Sequence, residues 1–116
     1  MRRLALLVSG VLLLLASGCE KYIIPPPVIE EGVSYAEQVQ PVFDDKCISC
    51  HSGGIPPDLT AEESYEFLTT NNYVDTLNPE SSLIYTKLLS GAHAGRATEE
   101  DKLVILQWIK EGAQNN

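Results

Sequence analysis

The chain has 116 residues, 44% of them hydrophobic and 21% charged, with Lys+Arg 8 against Asp+Glu 16 and a formal net charge of −8. Such an acidic balance argues against nucleic-acid binding and against adsorption to anionic lipid headgroups. The length leaves room for one small domain once the ends are set aside.

Arg2 and Arg3 form a basic start, Leu4 to Ala16 an apolar run, and Ser17-Gly18 a small-residue exit. This is the pattern of a secretory signal over residues 1–18; the apolar run falls short of the ~18 residues that a membrane span needs. Ala16-Ser17-Gly18-Cys19 resembles a bacterial lipobox, with Ala16 where Leu is usual. The resemblance implies a lipidated Cys19 as the first mature residue, anchored by its acyl chains at about 0.8 kcal/mol per buried CH₂. The alternative is an ordinary cleaved signal with a free Cys19 thiol. Without Arg2 and Arg3, eight basic residues fall to six against 16 acidic ones, a formal charge of −10.

Residues 19–33 then read as a tether. Pro25-Pro26-Pro27 and Glu30-Glu31-Gly32 lack helical periodicity, and a proline run is a semi-rigid spacer. Ile23, Ile24, Val28 and Ile29 are apolar for a linker, so part of it is expected to lie on the domain. Residues 34–116 form that domain, close to the size at which a protein core alone is marginal.

Four helical segments are predicted in it, with no cleanly alternating strand. The first opens at Ser34-Tyr35-Ala36-Glu37, a capping box, and carries Tyr35, Val39, Val42 and Phe43 at helical spacing. Pro41 should kink it or mark a late start. Thr60-Ala61-Glu62-Glu63 is a second capping box, leading through Tyr65 and Phe67-Leu68. Asn78-Pro79-Glu80 predicts an N-cap with proline in the first turn, and a helix through Leu83, Ile84, Leu88 and Leu89. Thr98 to Asp101 starts the last helix, with Leu103, Leu106 and Ile109 on one stripe, Ile105 and Trp108 beside it, and Gly112 as its stop.

The first helix runs into Cys47-Ile48-Ser49-Cys50-His51. C-x-x-C-H is the attachment signature of a c-type haem: the two thiols reach the two vinyl groups of one porphyrin, and the next imidazole becomes an axial iron ligand. Three other chemistries use C-x-x-C. A thioredoxin-like pair follows a strand in a βαβ unit, which this sequence lacks. A zinc site needs about four Cys/His ligands, and a structural disulfide needs only an oxidising compartment. Export agrees with haem, because haem is attached outside the bacterial inner membrane. The cysteine count agrees as well, with one for lipid and two for haem.

From the first helix, the haem motif, the Pro-rich loop and the closing Leu103–Ile109 helix, the domain resembles a small monohaem cytochrome c. The resemblance implies an all-α domain wrapped around one covalent haem c. It further implies that the first and last helices cross, with Phe43 and Trp108 near the contact. Cytochromes c usually supply a methionine as sixth ligand before the last helix. Here Met1 is the single methionine and leaves with the signal, while His93 stands at the matching place in Gly91-Ala92-His93-Ala94-Gly95-Arg96. The expected iron is therefore bis-histidine, His51 proximal and His93 distal, and low in potential. The alternative leaves His93 a solvated loop residue over an open or water-filled site.

A carbonyl at or just before Pro56 or Pro57 is the expected acceptor for the other N–H of His51. Tyr73, Tyr85 and Arg96 are candidates to reach the haem propionates. Two functions follow. One is an electron carrier outside the inner membrane that meets a redox partner protein; the acidity suits a basic partner and equally suits mere solubility. The other is a haem enzyme or sensor, peroxidase-like or gas-binding, with an open sixth site.

Overall fold

The computed structural model describes residues 21–116, and the expected signal at 1–18 and lipidated Cys19 lie outside the described residues. The segment 21–34 has no regular secondary structure. Tyr22, Ile23, Ile24 and Val28 stand exposed on it. Its end does lie on the domain: Ile29 packs against the core, Val33 is buried, and the Gly32 and Val33 N–H groups donate to the Glu111 carboxylate at 2.9 and 2.8 Å.

Four α-helices follow: α1 (Gln40–Lys46), α2 (Ser64–Thr70), α3 (Leu83–Leu89) and α4 (Glu99–Lys110). A π-helical turn, Tyr35–Val39, leads into α1, and 3₁₀ turns at Pro79–Ser81 and Gly91–His93 flank α3. No strand occurs among the described residues, in agreement with the all-α expectation.

The first segment differs in detail from the sequence reading. Ser34 Oγ accepts from the Glu37 N–H at 3.2 Å, but Gln38 rather than Glu37 closes the box on the Ser34 N–H, at 2.8 Å. The wide turn explains this, since the Val39 and Gln40 N–H groups reach back five residues to Ser34 and Tyr35. Pro41 has no N–H with which to continue an α-helix, and α1 starts late around it.

Two caps do not form as expected. The Thr60 N–H and hydroxyl both donate to Asp58 Oδ1, at 3.0 and 2.7 Å, so residues 60–63 form a turn and α2 begins only at Ser64. Asn78 is drawn to Asp75 instead of capping, with its N–H 3.0 Å from Oδ1. Pro79 then opens a single 3₁₀ turn, and extended Ser82 separates it from α3. In both places an aspartate two or three residues upstream outcompetes the helix for the backbone donor.

Helix α4 begins and ends as read. Thr98 and Asp101 form a reciprocal capping box, with bonds of 3.1 and 2.7 Å. Gly112, at φ +95°, turns the chain so that the Gly112 and Ala113 N–H groups reach the Ile109 and Trp108 carbonyls in a Schellman motif.

The buried stripe of α4 is rotated from the expected one. Ile105, Leu106, Trp108 and Ile109 are buried together with Lys102, while Leu103 is only half-buried. Lys102 lays its methylenes along the core and keeps its ammonium on Glu99, 2.6 Å away. The helix packs on the π-helical turn, and Tyr35 stands between the two aromatics expected at the crossing. Its ring lies 5.0 Å from Trp108 and 6.5 Å from Phe43. The carboxy terminus completes the join, with Asn116 accepting from the Tyr35 and Ala36 N–H groups.

Candidate functional site

Helix α1 ends where the chemistry begins. The Cys47 N–H still bonds the Phe43 carbonyl, and the Cys50 and His51 N–H groups then fold back on the Cys47 carbonyl at 3.1 and 3.0 Å. This tight turn brings Cys47, Cys50 and His51 to one cavity of about 530 Å³, within the ~300–1,000 Å³ of ligand sites. Its walls are mostly apolar: Phe43, Leu59, Ile84, Leu88 and Ile105 come from α1, the loop before α2, α3 and α4. Among the described residues, Lys87 is the one lining residue with a formal charge, and no carboxylate lines the cavity.

The two thiols are not joined to each other. Burial pushes the Cys47 thiol above its ordinary range, with Lys46 opposing and Asp101 adding to the shift. A redox cysteine of the thioredoxin kind requires the reverse.

The His51 imidazole is fixed by the Pro-rich loop. His51 Nδ1 lies 3.0 Å from the Ile55 carbonyl and 3.2 Å from that of Pro57. Carbonyl oxygens only accept, so Nδ1 carries a proton, and in the neutral tautomer this leaves Nε2 as the nitrogen that can bind a metal. The Ile55 carbonyl precedes Pro56, where the sequence reading put the acceptor.

His93 sits in the Gly91–His93 turn, exposed at the rim of the same cavity. The two imidazole ring centres are 6.1 Å apart, with their planes at 37°. An imidazole nitrogen binds a metal ion at ~2.0–2.1 Å and lies about 1.2 Å from its ring centre, so two rings on opposite sides of one ion stand ~6.4–6.6 Å apart. The observed spacing is close to that.

The donor set separates the metal chemistries. Among the described residues no group of three or more His, Cys, Asp or Glu side chains is placed to hold a metal ion, so a four-ligand zinc centre is not built here. A porphyrin carries four of the iron's ligands itself and asks only two imidazoles of the protein. Two thiols, two imidazoles and an apolar cavity between four segments fit such a group.

Tyr73 lines the cavity, while Tyr85 and Arg96 do not. Lys87, one turn from Ile84 and next to Leu88, was not singled out from the sequence, and neither were the wall residues Leu59, Ile84, Leu88 and Ile105 as a set. The signal for Ile84, Leu88 and Ile105 is helical periodicity, which marks burial and not what is buried against; Leu59, in a loop, carries no such signal.

No family model, no curated protein and no solved structure matches this chain.

Proposed function

We propose that the chain is an electron-transfer c-type cytochrome, anchored to a membrane through a lipidated Cys19 and carrying one haem c with bis-histidine ligation. The observation that carries this reading is the pair of imidazoles, 6.1 Å apart across the mouth of an apolar cavity that also receives both thiols of C-x-x-C-H.

Haem iron supplies a one-electron couple. The residues of the chain do the rest. Cys47 and Cys50 would hold the macrocycle covalently. His51, oriented by the Ile55 and Pro57 carbonyls, is the proximal ligand. His93 would be the second imidazole ligand, and an iron held by both histidines would have no position left for a substrate. Phe43, Leu59, Ile84, Leu88 and Ile105, which line the cavity, would pack on the macrocycle and keep water from it. Imidazole in place of the usual thioether lowers the potential. The acidic tether and lipid hold the domain outside the inner membrane, where it meets a redox partner protein.

The test is expression with a haem-maturation system, followed by oxidised and reduced spectra with and without carbon monoxide. A covalent, low-spin, CO-insensitive haem with a potential below that of Met/His cytochromes supports the proposal. A high-spin or readily CO-binding species replaces it with the open-site enzyme or sensor. Absence of covalent haem removes both.

A further inference from the structure

Behind the cavity runs a chain of polar groups that the electron-transfer reading does not use. Gln40 is almost fully buried, and Ser64 is completely so. The Gln40 amide donates from Nε2 to the Leu59 carbonyl at 3.0 Å and to Asp44 Oδ1 at 2.8 Å. Its Oε1 accepts from the Ser64 hydroxyl at 2.5 Å. Ser64 Oγ is then free to accept from the Tyr35 hydroxyl, 2.6 Å away. Every group in the chain is satisfied, and no buried side-chain polar atom among the described residues lacks a partner.

Leu59 is the point at which this chain meets the site. Its side chain lines the cavity, its N–H donates to the His51 carbonyl at 2.9 Å, and its own carbonyl is the one that Gln40 holds. The segment from His51 to Leu59 is thus a closed loop, tied at its neck to His51 and pinned by Gln40 to α1. That same helix delivers Cys47. Inside the loop lie the Ile55 and Pro57 carbonyls that take the Nδ1 proton of His51. One amide side chain therefore fixes the distance between the helix that brings the thiols and the loop that orients the imidazole.

We infer that Gln40 is a positioning residue for His51: it holds the Leu59 carbonyl and so keeps the Ile55 and Pro57 carbonyls on the imidazole Nδ1–H. This rests on the haem reading for its functional consequence and not for its geometry. A ligand imidazole that donates firmly to a carbonyl is a stronger base, and loosening that bond makes the iron easier to reduce.

The experiment uses the full chain with Gln40→Met, which keeps the volume and removes both amide donors, and Gln40→Glu, which keeps an acceptor for Ser64. Ser64→Ala is the control, since it cuts the Tyr35 end and leaves the Gln40–Leu59 bond. NMR follows solvent exchange of the His51 Nδ1 proton, and the haem-loaded protein gives the midpoint potential. Both Gln40 variants should speed that exchange about tenfold or more and move the potential upward. Ser64→Ala should lower the melting temperature while leaving both readings at the wild-type value. Unchanged exchange in the Gln40 variants, or an equal change in Ser64→Ala, overturns the inference. The proton can be followed whether or not haem is attached, so a chain that takes no haem refutes the cytochrome reading and leaves this one to its own readout.

Discussion

Asp101 and Lys46 form an ion pair that joins the two halves of the site. The Asp101 carboxylate also accepts the Thr98 N–H and hydroxyl, both at 2.7 Å, closing the cap of α4. Lys46 immediately precedes Cys47, and Thr98 ends the loop that carries His93. One carboxylate is therefore bound to both segments that bear the candidate ligands.

Stability should accordingly depend on acid pH through Asp101. Burial raises its pKa, but the Lys46 and Thr98 bonds outweigh burial and leave it below the ordinary 3.8. A depressed folded value means that the contribution is fully present above about pH 4–5 and is lost as pH falls through the folded value. Asp101→Asn should flatten the acid limb of a urea-stability profile below pH 4. Asp101→Ala should lose about 1 kcal/mol at neutral pH from the cap alone.

His93→Ala tests the distal ligand. In haem-loaded protein it should convert the low-spin spectrum to high-spin, allow carbon monoxide to bind, and leave covalent attachment intact. An unchanged low-spin spectrum would show that a group other than His93 holds the sixth place.

Tyr35 gives a spectroscopic prediction at the other extreme of pH. Burial pushes its phenol up to about 12, with the Ser64 bond acting against the shift. A raised folded value favours the protonated form, so its contribution is complete below the ordinary value of 10 and declines as pH rises toward 12. In an alkaline absorbance titration of Tyr35→Phe against the unmodified chain, the missing step should be the latest one.

Trp108→Ala should destabilise the domain by about 3–5 kcal/mol, because the indole fills the centre of the core and its N–H holds the Gln114 carbonyl at 2.9 Å. Denaturant unfolding measures it. Trp108→Phe, which keeps much of the ring against Tyr35, should cost less than half as much.

The differences between sequence and structure have local causes. Thr98 and Gly112 were legible because each serves a helix end through groups within three to five residues. Thr60 and Asn78 were misread for the same short-range reason, since Asp58 and Asp75 offered the backbone a nearer acceptor. The rotation of the α4 stripe onto Lys102 was not legible: an ammonium on a long apolar stem reads as exposed until a neighbouring carboxylate is in place.

For the site, the sequence by itself determined the chemistry on offer. The C-x-x-C-H spacing, a lone second histidine and a single methionine, at position 1, are facts of composition and order, and they name thiols and imidazoles without any fold. The loop prolines even marked where a carbonyl acceptor would stand. What only the tertiary structure decided is distance. His51 and His93 are 42 residues apart in the chain, and their 6.1 Å separation depends on α1, α3 and α4 packing around one cavity. The hold of Gln40 on Leu59 is of the same kind. Sequence spacing governs what neighbours along a chain can do; contacts between distant segments exist only once burial of apolar surface has offset the entropy of bringing them together.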